Sequence, residues 1–209
     1  MELLTDGPEE ASTTLVLAHG AGGPMDSPFM TRVATGIAAA GGVRVVRFEF
    51  PYMEARRRGE RSGPPDPEPV LRRSWLDVIA RLGGGARLVI GGKSLGGRIA
   101  SLLADEVGAR GLVCLGYPFH PPGKPERLRT AHLQELQTPA LLVQGTRDPF
   151  GSREEVRSYR LSPRVRLAWI EDGEHSFKPR ASSGRSEEDT LDEAVALVTA
   201  FLAELGPPG

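Results

Sequence analysis

Residues 92–96 read Gly92-Lys93-Ser94-Leu95-Gly96. The apolar run Arg87–Ile90 precedes them, and Leu95, Ile99, Leu102 and Leu103 follow at helical spacing on one face. A strand therefore runs directly into a helix with a serine at the corner. A turn this sharp strains its central residue and exposes the hydroxyl, and flanking glycines let neighbouring backbone pass close. Gly91 and Gly97 thin the turn further. The helix N-terminus behind Ser94 favours negative charge developing beside it. A phosphate-binding loop, G-x-x-x-x-G-K-[ST], is excluded because position 87 holds arginine where glycine is required.

Working outward, short apolar runs alternate with amphipathic stretches, the pattern of a parallel sheet covered by helices. Strands are expected at Leu15–Ala18, Val43–Phe48, Arg87–Ile90, Gly111–Leu115, Ala140–Val143 and Val165–Ile170, with a short extra one within residues 2–14. Most are continuous Val/Ile/Leu runs, as strands buried on both faces require. Helices are expected at Met30–Ala40, stopped by Gly41 and Gly42, at Val70–Leu82, from Leu95 onward, and around Pro125–Gln137. A last helix opens on Ser186 and Asp189, an S-x-x-D start, and carries the stripe Leu191, Val195, Val198, Leu202 and Leu205. Residues 55–69 and 178–186 read as loops. The expectation is one α/β domain over residues 1–209, a mostly parallel sheet of about six to seven strands flanked by helices.

A serine hydroxyl needs a neighbouring base, and that base needs an orienting group. Where serine sits on such a turn, the chain order is serine, acid, histidine. The run LLVQG leads into Thr146-Arg147-Asp148-Pro149-Phe150, and the run RLAWI leads into Glu171-Asp172-Gly173-Glu174-His175. Asp148 and His175 thus both follow the C-terminal ends of strands, where sites of open α/β sheets form. His132 lies in an expected helix and His120 in a proline-rich loop before the acid, so neither fits the order. Asp172 is a substitute acid, close in sequence to the histidine. The run TLVLA leads into His19-Gly20-Ala21-Gly22-Gly23, a glycine-rich turn suited to supplying an oxyanion donor. The expected donors are the Ala21 and Leu95 amides. Gly20, Gly22 and Gly23 shape the loop, and His19 supports it by hydrogen bonding rather than acting as a second base. Tyr52, Phe119 and Phe150 follow strands and are candidates for lining an acyl pocket.

Taken together, HGAGG, RFEFPYME, GGKSLGGRIAS, GTRDPFG and DGEHSFKP resemble the α/β-hydrolase superfamily across nearly the whole chain. More narrowly they resemble bacterial hydrolases related to the testis-expressed and chromatin-complex-subunit α/β-hydrolase-like proteins, and more distantly the dienelactone hydrolases. The resemblance implies the α/β-hydrolase fold and a triad at Ser94, Asp148 and His175. The dienelactone group uses a cysteine nucleophile where this chain has Ser94. No substrate is implied, and some eukaryotic relatives serve as complex subunits. The expected activity is hydrolysis of ester-type bonds, carboxylic ester or thioester, in small substrates through an acyl-enzyme, with no cofactor. A non-catalytic binding or scaffold protein on the same fold is one alternative, and an acyltransferase or peptidase using the same triad is another. A scaffold needs neither triad nor oxyanion loop.

Composition sets the remaining bounds. Apolar residues at 39% and charged residues at 25% are those of a globular protein. A formal net charge of −1 gives no whole-chain attraction to nucleic acid or an acidic membrane. The single cysteine, Cys114, sits in an apolar strand, excludes an intrachain disulfide and fits a reducing compartment. MELLTDGPEE has no apolar run, so no signal peptide is expected, and the expected location is cytoplasmic. No Cys/His spacing suggests a metal. Arg56, Arg57, Arg58, Arg61, Arg72 and Arg73 are interleaved with acids, which reads as a mixed-charge surface before it reads as an anion site. Between Gly116 and Pro139 only Tyr117–Lys124 is left beside the expected helix, too short for a lid domain.

Overall fold

The computed structural model describes residues 1–40 and 42–206. Seven strands, β1 (Leu3–Asp6), β2 (Thr13–Ala18), β3 (Val43–Phe48), β4 (Leu88–Lys93), β5 (Gly111–Leu115), β6 (Ala140–Gly145) and β7 (Val165–Ile170), join in one sheet. Six α-helices accompany them: α1 (Pro28–Ala39), α2 (Pro51–Arg57), α3 (Glu68–Arg81), α4 (Leu95–Leu103), a short α5 (Arg153–Val156) and α6 (Glu187–Glu204). The strand order is β1-β3-β2-β4-β5-β6-β7. Only β1 is antiparallel to its neighbour, and it closes the edge beside β3. This is the α/β-hydrolase arrangement, without a lid domain among the described residues.

The apolar runs are continuous because both faces of the sheet are covered. On one face Leu15, Leu17 and Val113 pack with Met30, Val33 and Ile37 of α1 and Val198, Phe201 and Leu202 of α6. On the other, Val16, Ile90 and Leu112 pack with Trp75 and Val78 of α3 and Ile99 and Leu103 of α4. Burying a large aliphatic or aromatic side chain contributes roughly 1.5–3 kcal/mol, so these two layers are the main source of stability. The α6 start is a reciprocal cap. Ser186 Oγ accepts the Asp189 N–H, and the Asp189 carboxylate accepts the Ser186 N–H. Gly41, one of the two glycines expected to stop α1, lies outside the described residues.

Two expectations are corrected. The stretch read as a loop from residue 55 begins inside α2, which Pro51 starts at a first-turn position and Arg56 and Arg57 close in its last turn. The helix expected at Pro125–Gln137 is a single 3-10 turn, Ala131–Gln134. Its backbone is claimed by tertiary partners instead: Arg129 N–H donates to Phe119 O, Arg129 O accepts from the Tyr117 hydroxyl, and Leu133 O accepts from Ser162 N–H.

From β2 the chain winds to β3 on one side and then crosses to β4 on the other. The crevice at the carboxyl ends of β2 and β4 is therefore the switch point where open α/β sheets bind ligands. The turn there is held by contact. A Cβ at Gly96 would sit 2.3 Å from Ala18 O and 2.7 Å from His19 O, inside the backbone of β2. Gly96→Ala should therefore cost on the order of 2 kcal/mol or more. Gly22→Ala adds a methyl that meets nothing within 4 Å and should leave Tm near the wild-type value. Scanning calorimetry checks the pair, and equal midpoints for the two would show that α4 does not press on β2.

Candidate active site

Ser94 sits at φ 49°, ψ −111°, a left-handed conformation that costs a non-glycine residue of order 1–3 kcal/mol. Its N–H donates to Leu115 O at 3.0 Å, which anchors the turn to β5. The side chain is thereby thrust over the end of the sheet. Ser94 Oγ lies 2.9 Å from His175 Nε2, and His175 Nδ1 lies 2.8 Å from Asp148 Oδ2. A carboxylate only accepts, so Nδ1 carries the proton and Nε2 is free to accept from the serine hydroxyl. The three residues come from the loops after β4, β6 and β7, in the order expected from the sequence.

Asp148 is fully buried. Its Oδ1 accepts the Phe150 N–H at 2.8 Å, and its Oδ2 accepts the Gln144 side-chain amide at 2.8 Å as well as His175. Gln144 is itself locked, since its Oε1 accepts the Tyr117 N–H at 2.7 Å. Three donors thus replace the water that burial removes. Asp172 plays no part here. It turns away from His175 and pairs with Arg180 and Arg147, whose guanidinium groups hold its carboxyl below the usual carboxylate range.

The loop after β2 lies across from the serine. His19 is buried, its Nδ1 donating to Gly20 O at 2.7 Å and its Nε2 accepting the Phe50 N–H at 3.1 Å. Burial lowers its pKa, so it stays a neutral brace. The Tyr52 hydroxyl donates to Gly20 O and Ala21 O at 3.2 and 3.3 Å, and Arg56 also reaches Ala21 O. In a trans peptide the N–H points opposite to the C=O. With the Gly20 carbonyl drawn back to Tyr52 and His19, the Ala21 N–H is turned the other way, and Ala21 lines the cleft. Leu95 is the first residue of α4, so its N–H has no intrahelical acceptor.

The cleft has a volume of about 350 Å³ and is walled by Phe29, Met30 and Phe150 on its apolar side. The Phe150 ring also lies on His175, 4.2 Å between centroids. Tyr52 and Phe119 do not line it. Tyr52 is buried beneath the β2 loop as a brace, and Phe119 packs against Tyr117 and Tyr159 in the core. Sequence patterns point to pocket residues just after strands, but Phe29 and Met30 begin α1, where no motif marks them. The arginine cluster is occupied by the chain's own groups: Arg57 bonds Glu49 and Asp26, Arg58 bonds Glu60, Arg61 bonds Asp66, Arg72 bonds Glu106 and Arg73 bonds Asp77. It reaches the site at two points: Arg56 donates to Ala21 O, and Glu49, paired with Arg57, accepts the Met25 N–H and so ties the β2 loop to the cluster. Among the described residues no group of His, Cys, Asp and Glu is arranged to hold a metal ion.

The chain is similar in structure to a serine hydrolase homologue from Coxiella burnetii, with TM-score 0.69 and 20% identity over 95% of this chain and 89% of that one. It is similar to an α/β serine hydrolase without a lid from Xanthomonas campestris, with TM-score 0.68 and 18% identity over 99% and 89%. It also matches a dienelactone hydrolase from Anabaena variabilis, with TM-score 0.71 and 22% identity over 97% and 90%. Among the described residues no helix is long and apolar enough to cross a membrane. The model of the alpha/beta hydrolase domain family matches residues 11–203, and the chain belongs to that family.

Proposed function

We propose that the protein is a serine hydrolase that cleaves ester-type bonds, carboxylic ester or thioester, of small substrates through an acyl-enzyme. The observation that carries this reading is the continuous hydrogen-bonded line Ser94–His175–Asp148 at 2.9 and 2.8 Å. In the first step His175 Nε2 takes the proton as Ser94 Oγ bonds to the carbonyl carbon. The oxyanion that forms is held by the Ala21 and Leu95 amides, and Asp148 stabilises the imidazolium. Collapse of the tetrahedral intermediate breaks the ester bond, and His175 returns its proton to the leaving alkoxide or thiolate. Water then repeats the sequence on the acyl-serine. None of these steps requires a cofactor. Within the family, the segments HGAGG, GGKSLGGRIAS and DGEHSFKP support a place in the branch of the testis-expressed and chromatin-complex-subunit hydrolase-like proteins. A cytoplasmic location is part of the same proposal, supported by the single buried cysteine.

A fluorophosphonate probe should label Ser94 and no other serine, as read by peptide mapping, and labelling that persists in Ser94→Ala would falsify the assignment. Asp148→Asn should cost turnover on the order of 10⁴-fold if the triad behaves as in serine proteases. Asp172→Asn should change it little, because Asp172 faces Arg147 and Arg180. A larger loss from Asp172→Asn would make Asp172 the orienting acid. The open cleft encloses little apolar surface, so kcat/KM on 4-nitrophenyl esters should peak between acetate and butyrate and fall for long chains. An optimum at long acyl groups, measured below micelle formation, would mean that a segment folds over the site.

A further inference from the structure

Lys93 precedes the nucleophile, and the triad makes no use of its ammonium. Its side chain is buried yet lines the same cleft as Ser94 and His175. Nζ donates to the backbone carbonyl of His175, and the ring of Phe29 lies 5.3 Å from it. It forms no ion pair with any described residue, and its two remaining N–H groups have no acceptor among them. The local backbone makes room for it. Gly116 adopts φ +65°, and a Cβ there would sit 2.8 Å from Nζ. Buried charges are ordinarily paired, because burial without a counterion is costly. The cost shows in the amine itself, which burial pushes down to about 8 even with the Asp148 and Glu174 carboxylates acting in the other direction.

We propose that Lys93 is an anion-recognition site within the cleft, which selects ester substrates whose acyl group carries a carboxylate. The proposal rests on the hydrolase reading above and names its substrate class. Nζ touches the backbone of His175 and Ser94 Oγ touches its ring, so one histidine separates the cation from the nucleophile. A carboxylate a few carbons from the scissile carbonyl fits that separation. It would take the two free N–H groups while the ester carbonyl meets Ser94. Phe29, Met30 and Phe150 would cover the methylene chain between them.

The test uses monoethyl glutarate and its uncharged isostere, ethyl 5-methylhexanoate. Calorimetric titration of Ser94→Ala protein, which cannot turn over, should show the anion binding about tenfold tighter or more, as a charge-assisted hydrogen bond implies. The double variant Ser94→Ala/Lys93→Met should lose that preference. A second arm leaves Lys93 in place, so it does not depend on the folding of the double variant. The preference should be full at neutral pH, where the amine is charged, and decline as pH rises through about 8. The charged groups facing Nζ are the Asp148 and Glu174 carboxylates, with the His175 ring beside it. Equal affinity for the two esters, no measurable binding of monoethyl glutarate, or a preference that survives Lys93→Met would each overturn the proposal. Fluorophosphonate labelling of the wild-type protein from the same preparation reports separately on the hydrolase reading, so the two failures are distinguishable.

Discussion

The approach of α4 to the end of β2 is the constraint on which the site depends. Gly96 lies so close to Ala18 and His19 that no side chain fits between them. The helix can therefore start directly beneath the sheet edge, and the residue joining it to β4 must turn through a left-handed conformation. Ser94 takes that conformation because its neighbours leave no other, with its N–H bound to β5 and its carbonyl accepting the Arg98 N–H of α4. Once Ser94 is fixed, the rest of the site is a matter of bringing two loops to it.

Those loops are braced against each other. Arg147 N–H donates to Gly173 O, and Thr146 Oγ1 accepts the Asp172 N–H, so the β6 and β7 loops form one hydrogen-bonded unit. Asp172, bound to Arg180 and Arg147, closes the outside of that unit. Asp148 closes the inside, with Gln144 and Phe150 N–H holding its oxygens so that only the His175 direction is left open. The β2 loop is built on another plan. Tyr52, Arg56 and His19 pull its carbonyls back, and Glu49 with Arg57 fixes its far end. Carbonyls held in this way fix the direction of the Ala21 N–H without any rearrangement.

The sequence discloses what depends on local rules and hides what depends on assembly. The buried strands are legible because a strand covered on both faces must be apolar throughout, and Val43–Phe48, Gly111–Leu115 and Val165–Ile170 fall on their expected residues. Ser94, Asp148 and His175 are legible because each follows a strand in a fixed order. Pro125–Gln137 misleads because the helix expected to connect β5 to β6 gives way to hydrogen bonds with Phe119, Tyr117 and Ser162, partners outside the segment. Tyr52 and Phe119 mislead for a related reason. A residue just after a strand stands near the site, but whether its ring faces the cleft or the core is settled by neighbours such as His19 and Tyr159. Gln144 and Lys93 lie inside strands and carry no motif of their own. Their polar ends matter only because of loops that arrive from elsewhere.

Three costs meet at one point of this molecule: a serine in a strained conformation, a carboxylate with no exposure to water, and an ammonium with no ion pair among the described residues. Each carries a cost to the fold. Glycine at 94 would relieve the turn, and apolar residues at 93 and 148 would remove the desolvation of two charges. A protein that used this fold only as a scaffold would have no use for the three together. Strain and buried charge concentrated in one cleft are what a site preorganised for reaction requires, since interactions made in advance for a transition state are unsatisfied in its absence. The carboxylate and the strain belong to the hydrogen-bonded line Ser94–His175–Asp148. The ammonium does not, and that is the physical ground for assigning it to the substrate.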